Sequence, residues 1–385
     1  VLASDLRADR PSPAIDVSSM DGYALRRSDL AGLMSGGTGA AASDSVGARA
    51  LTLQVAGEVR IGTQPPDLPL GRALKIVTGA AIPAGADAVV KREDVSERPS
   101  EIGLDGAIAQ RLRAGENIRH RGENLGAGDV VVPAGTLVTP AVAGALATFG
   151  TTSVGVWPRV TVGIVVTGDE IMDVGASPAD WQLRDSNGAA LEAIVRSRRW
   201  MAPPLRLSAV DEEPALREAF ERALGDSDAV LATGGVSMGD RDLVPRVLVG
   251  LGCEVLFHKL PQRPGRPMLA AISPEGKPVL ALPGNPVSVL VTARRIGLAV
   301  LARLAGLPQA SGAGPDLAPA VVLTNPDTHT IPLWWHRLVR IVGPGRAELV
   351  EGRGSGDLVS AARSDGFVEL PPGGQGAGPW AFYAW

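Results

Sequence analysis

The sequence predicts a multidomain α/β protein. A doubly wound, mostly parallel sheet is preceded by a β-rich region and followed by a small β-barrel or sandwich. Three observations predict this. Between residues 159 and 308, short β-branched runs alternate with helical segments, the pattern of a parallel sheet covered on both faces. Residues 51–126 carry short β-like runs broken by Gly and Pro, and residues 320–385 repeat that texture in WWHRLVRIV, AELVE and FVELP. A Pro-, Gly- and Ala-rich stretch at 308–319 reads as the linker between the last two regions. A length of 385 residues fits roughly two to four domains.

In chain order, Met20-Asp21-Gly22-Tyr23 reads as a turn leading into a strand, and residues 31–50, small and polar, as a flexible surface loop. KIVTGAAIPAGADAVV (75–90) places Thr78 and Gly79 at a strand end, and IRHRGENLGAG (118–128) is a basic, glycine-containing turn; taken locally, both are also compatible with plain hairpin chemistry. TPAVAGALAT (139–148) has Pro at its second position, as a helix start often does. Trp157-Pro158 marks a boundary.

The alternating region opens with RVTVGIVVTGDEI (159–171), a strand ending in Thr167-Gly168-Asp169-Glu170. Asp185, Ser186 and Asn187 are capping candidates for the helix that follows. Residues 205–210 read as strand and 213–224 as helix. DAVLATGGVSMGDRD (228–242) then gives strand and glycine turn, with a helix at 243–251. The glycines would let backbone approach an anion. Asp240 and Asp242 repel phosphate directly, but suit a magnesium ion lying between carboxylate and phosphate. An ordinary βα turn with two solvated carboxylates fits the same residues. EVLFHKL (254–260), the basic turn PQRPGRP (261–267), an apolar strand at 279–282 and PGNP (283–286) opening a helix complete the region. TGDE, TGGVSMGD and LPGNP all fall at strand ends, where ligands of such sheets sit.

Composition excludes several classes. A net charge of −4 supplies no basic field for nucleic acid or anionic membrane. The single cysteine, Cys253, permits no disulfide framework or zinc cluster within the chain and reads as a buried structural thiol. Histidines 120, 258, 329 and 336 lack metal-ligand spacing. Apolar runs break well before the length of a membrane span, and VLASDLRADR is not a signal peptide. The chain begins at Val1 without an initiating Met and reads as a fragment of a cytoplasmic protein.

SMDGYA, VTGAAIPAGADAVV, IRHRGEN, VVTGDEI, ATGGVSMGDRD, RPGRP and LPGNPVS occur in the order found in the MoeA family, the molybdopterin molybdotransferases of the gephyrin E-domain group. The sequence resembles that family from about residue 16 to 308 and more weakly to 372. The resemblance implies four segments: a linking domain (1–15 and 127–153), a β-rich inserted domain (16–126), a doubly wound pterin-cofactor-binding domain (154–308) and a C-terminal β-barrel (309–385). It implies a homodimer with a shared cleft, and insertion of molybdate into adenylylated molybdopterin with release of AMP. Asp242, Glu170 and Asp211 match the family's functional carboxylates, with Asp242 and Glu170 holding Mg2+, and Asp21 matches the carboxylate given to the other subunit's cleft. Lys259, Arg263 and Arg266 form a cationic set for phosphates. Thr78 would donate a hydroxyl hydrogen bond, and Ser237 and Asp240 would join the substrate site. Pro283 and Pro286 would shape a loop around Asn285, while Arg337 and Ser355 would hold molybdate. A molybdopterin adenylyltransferase and apo-molybdoenzymes are the implied partners. The sequence departs from the family at Asn124, where RGED-type motifs carry an acid, at Arg266, where PGKP is common, and in the helix that precedes the first motif. Two other readings share parts of this pattern: a catalytically silent scaffold, and an adenylyltransferase or nucleotide-amide hydrolase sharing only the doubly wound domain.

Overall fold

The structure, a computed structural model, describes residues 1–35, 51–236, 243–308 and 319–385. The expectations for Ser237, Asp240 and Asp242, for the loop at 36–50 and for the linker at 309–318 lie outside these residues. The chain forms two compact units, one made of Val1–Ser4, Ala134–Val138 and Val154–Trp385, the other of Asp5–Pro133 and Thr139–Ser153.

The larger unit is built on a six-stranded sheet. Leu205–Ala209, Val162–Thr167, Ala229–Thr233 and Pro278–Leu282 lie side by side in parallel; Leu269–Ile272 and Glu254–His258 then extend the sheet through antiparallel pairings. The alternation of a strand explains the two-sided core. Ile164 and Val166 pack with Leu191 and Val195 on one face, while Val165 packs with Phe220 and Ala223 on the other. Gly163 permits that second contact, since a Cβ there would lie 2.9 Å from the Ala223 Cβ. Asp185 caps the Ser186–Arg196 helix by accepting from the Gly188 N–H, as the sequence predicts. Leu269–Ile272 has no counterpart in the sequence reading, because MLAAI is short and lacks alternation, so it carries no strand period.

The segment opened by PGNP is one helical rod with three parts: Pro286–Thr292, a π turn over Ala293–Gly297, and Leu298–Leu304. Against it packs a closed five-stranded barrel, Trp334–Gly343, Arg346–Leu349, Ala320–Leu323, Trp380–Ala384 and Gly366–Leu370, which returns to the first strand. Val321, Val339, Val368 and Phe382 fill the barrel, while Phe367 on its outside meets Val287 and Val291 of the rod. A two-residue strand, Gln262–Arg263, joins the barrel by pairing in parallel with Trp334 and Trp335.

The smaller unit carries its own six-stranded sheet, with Gly22–Leu25 between Ala88–Lys91 and Arg72–Ile76, followed by Leu51–Val59, Glu101–Leu104 and Val95–Glu97. Gly22 is required there, since a Cβ would fall 1.9 Å from the Val90 carbonyl oxygen. Arg27–Ser35 is a helix, which corrects the loop expected to begin at residue 31. Its signal is weak because Gly32 interrupts it, and Leu30 is its one core residue among the described side chains. Gly106–Arg111 is a second helix absent from the sequence reading, capped by Asp105. Among the described residues no helix is long and apolar enough to cross a membrane.

Candidate active site

Six of the expected site residues meet at one cavity of the larger unit. It has a volume of about 750 Å³ and is lined by Arg263, Arg266, Pro283, Asn285, Arg337 and Ser355 among others. Its basic wall is a tight loop. The Leu260 N–H donates to the Arg266 carbonyl at 2.9 Å, and the buried Gln262 side chain donates to the Gly265 carbonyl at 3.2 Å. Gly265, with φ of +92°, lets the loop lie against the helical rod, because a Cβ would sit 2.5 Å from the Thr292 methyl. Elsewhere on the lining the Asn285 amide donates to Ser355 Oγ at 3.0 Å, and the Val287 N–H donates to the Ser355 carbonyl at 2.9 Å. These two bonds seat the PGNP turn on the barrel loop. Arg337 stacks over Trp335 with its guanidinium carbon 4.2 Å from the ring centre, and donates to Asp327 at 2.6 Å. The Arg263 and Arg266 guanidinium groups have no hydrogen-bond or ion-pair partner among the described residues. Three arginines against the lining Glu351 make a cavity suited to an anion.

The carboxylates stand at strand ends and do not line this cavity. Glu170 follows Val162–Thr167, and Asp211 follows the neighbouring Leu205–Ala209. The Asp211 N–H donates to Asp169 Oδ1 at 2.9 Å. Burial pushes the Asp211 carboxyl above the usual carboxylate range, and the charges of Asp169 and Glu170 push the same way. Asn187 ties two further strand ends together, donating to Thr233 Oγ1 at 3.0 Å and to the Gly284 carbonyl at 2.8 Å. Its own Oδ1 is buried without a partner among the described residues. The sequence reading treats Asn187 only as a cap. The signal that singles it out is Asp185 two residues earlier, which takes the capping role and frees the amide to reach across. Lys259 and Pro286 also stay off the cavity wall. Pro286 opens the helical rod, and Lys259 has a left-handed backbone, φ +82°. Trp335 and Asp327 were not singled out in the sequence, because an aromatic and a turn acid in a β-rich region carry no spacing signal.

In the smaller unit Asp21 and Thr78 are bonded to each other. Asp21 Oδ1 accepts from the Thr78 N–H at 2.8 Å and from its hydroxyl at 2.9 Å, and these bonds hold the Asp21 carboxyl below its ordinary value. Thr78 thus gives its hydroxyl hydrogen to Asp21. Nearby, Arg92 forks onto Glu97 at 2.9 and 3.0 Å and Tyr23 donates to the same carboxylate. Burial and then Glu97 push Tyr23 up to about 12. Asn124 accepts from Arg119 at 2.5 Å and donates to Ser12 Oγ at 3.3 Å.

Comparison with known proteins decides the family. Residues 1–150 match the model for the MoeA N-terminal region (domain I and II), and residues 163–303 match a probable molybdopterin binding domain. A molybdopterin molybdenumtransferase of Synechococcus elongatus is 38% identical over 299 residues, covering 76% of this chain and 70% of that protein. The chain belongs to the MoeA family. A second molybdopterin molybdenumtransferase, from Staphylococcus epidermidis, aligns over 98% of this chain and 85% of its own length at 29% identity. The crystal structure of a molybdopterin biosynthesis MoeA protein from Pyrococcus horikoshii superposes with a TM-score of 0.76 at 25% identity, covering 100% of this chain and 89% of that one. The parallel-sheet region, the β-rich sheet and the closing barrel are therefore a MoeA-type fold. The motif order that suggested the family in the sequence pointed correctly.

Proposed function

We propose that this molybdopterin molybdenumtransferase acts on adenylylated molybdopterin, inserting molybdate and releasing AMP, in a homodimer whose cleft is shared between subunits. The observation that carries the reading is the cavity in which Arg263, Arg266, Arg337, Asn285 and Ser355 converge. An oxyanion there would meet two guanidinium groups without competing partners among the described residues, and a third held over Trp335. The four-segment layout of linking, β-rich, pterin-binding and barrel domains belongs to the same proposal.

Magnesium fits the donor chemistry at the strand ends. Among the described residues no group of three or more acidic, histidine or cysteine side chains is arranged to close on a metal. Magnesium needs no such cage, since it keeps several waters and is bound through one or two carboxylates plus phosphate oxygens. Glu170, with Asp242, would hold it, and Asp211 would stand beside them; the raised affinity of Asp211 for a proton is what a cation would relieve. The ion supplies charge neutralisation at the phosphoanhydride. The chain's own part is orientation. Lys259, Arg263 and Arg266 would bind phosphates, and Ser237 and Asp240 would join the substrate site. Pro283 and Pro286 would keep Asn285 on Ser355, and Arg337 and Ser355 would hold the oxyanion. Asp21, aligned by Thr78, would serve the cleft of the other subunit.

The test is AMP release from adenylylated molybdopterin and magnesium, with and without molybdate. Molybdate-dependent AMP is the expected result. No AMP in either reaction would sink the transferase reading in favour of a silent relative. Loss of AMP release in Asp242→Asn is expected, and full activity would remove Asp242 from its role.

A further inference from the structure

The contact that Arg337 already makes carries an inference beyond that reading, on which it rests. Asp327 Oδ2 receives the Arg337 Nη1 hydrogen bond at 2.6 Å. The Asp327 side chain is 42% exposed and that of Arg337 19%, so the carboxylate is the more solvent-accessible member of the pair. Asp327 is also fixed in place. Its other oxygen accepts from the His329 N–H at 3.1 Å, and the His329 ring stands edge-on to Trp335 at 5.7 Å. Trp335 in turn carries Arg337 on its face. A loop acid, a histidine and a tryptophan thus converge on one arginine of the anion cavity, while Arg263 and Arg266 have no such carboxylate among the described residues.

We propose that Asp327 is a specificity-determining residue: its carboxylate competes with the incoming oxyanion for Arg337, so that doubly charged tetrahedral anions bind and singly charged ones are refused. The physical basis is a comparison of partners for one guanidinium. A carboxylate carries one negative charge and here makes one short bond to Nη1. An anion of equal charge gains little by replacing it. A dianion bridging Arg337 to Arg263 or Arg266 brings a second negative charge, which a monoanion in the same place lacks, and that charge repays the displaced Asp327 bond. The carboxylate therefore lowers affinity for every anion, and sharpens the choice between them.

The experiment is calorimetric titration of the purified full chain with molybdate and, separately, with perchlorate, a tetrahedral monoanion. Asp327→Asn keeps an oxygen for the His329 N–H and removes only the charge. It is expected to bind molybdate roughly tenfold more tightly and to acquire measurable perchlorate binding. Asp327→Glu should retain the wild-type refusal of perchlorate. Arg337→Ala should weaken molybdate binding, and adding Asp327→Asn to that variant should change neither titration further. Unchanged molybdate affinity and continued refusal of perchlorate in Asp327→Asn overturn the inference while leaving the proposed function standing. Wild-type protein that binds no molybdate, or binds it equally well after Arg337→Ala, overturns the assignment of the cavity and the inference with it.

Discussion

Lys259 holds its side chain at the head of the basic loop through a backbone that L residues avoid, with φ of +82°. Its N–H is nonetheless bonded to the Met268 carbonyl at 2.8 Å, so the turn is enforced by the hairpin around it. A left-handed residue other than glycine costs about 1–2 kcal/mol. Lys259→Gly should therefore be more stable than Lys259→Ala by about 1 kcal/mol, the reverse of the usual helix and strand ranking, as read from denaturation midpoints. Both should lose transferase activity if the ammonium binds phosphate; an active Lys259→Gly would make the residue merely structural. Asp211 gives a second prediction. Its folded-state carboxyl titrates above the unfolded value because of burial and the neighbouring acids, so its ionisation subtracts stability as pH rises through that range. Asp211→Asn should raise the denaturation midpoint at pH 7 more than at pH 4, while activity falls. Equal midpoints at pH 7 would contradict the strain assigned to this cluster. The sequence points to Lys259 and Asp211 only through the family resemblance. The backbone strain of the one and the burial of the other were not, since both arise from segments far away in sequence.

Among the elements, the π turn at Ala293–Gly297 joins the helical rod to the barrel through polar contacts. Two successive arginines there engage the same neighbour: Arg294 donates to the Ala384 carbonyl at 2.5 Å, and Arg295 forks onto Glu369 at 2.7 and 3.2 Å. Both lie over the Tyr383 ring, at 5.7 and 5.1 Å. In a regular helix, successive side chains diverge by about 100°; the wider turn is where this rod departs from that rule. His336 Nε2 lies 3.2 Å from the same Glu369. Burial would push Glu369 up, but the His336 and Arg295 hydrogen bonds outweigh it and hold the carboxyl down to about 2, against an ordinary 4.5. Its stabilising contribution is thus complete above pH 4.5 and is lost as pH falls toward 2. The shift corresponds to on the order of 3 kcal/mol at neutral pH. Glu369→Gln should remove this acid-sensitive part, giving a less stable protein whose midpoint changes less between pH 5 and pH 2; an identical pH profile would refute the assignment. The sequence shows the start of this rod, in PGNP, and its apolar face. A π turn leaves no mark in hydrophobic period over five residues, so the junction was illegible.

At the scale of the whole molecule, the proposed shared cleft makes a quantitative demand. If Asp21 serves the other subunit's site, then Asp21→Asn and Glu170→Gln chains, each inactive alone, should complement when refolded together. Random pairing makes half the dimers mixed and gives each mixed dimer one intact site, so about a quarter of wild-type activity should return. Activity no higher than that of the separate variants would place Asp21 and Glu170 in the same subunit's site or in none. The sequence revealed alternation, glycine turns and ordered motifs because these are local. The joining of Leu2 to Thr136 and to Val156, which brings three chain segments into one unit, depends on backbone bonds across long separations and has no local signature.

The strand Gln262–Arg263 belongs by sequence to the loop after Glu254–His258, yet its ladder partners are Trp334 and Trp335. A gene cut within residues 309–318 would therefore sever a backbone ladder rather than separate two finished modules. The barrel, expressed by itself, would present Trp334–Gly343 with bare amide and carbonyl groups at one end, an open edge ready to recruit a stray strand. The preceding region would keep its parallel sheet but lose the template that straightens its arginine loop. Anyone transplanting this barrel between relatives must carry the loop along with it, because the two were folded as a lock with half of its tumbler on each side.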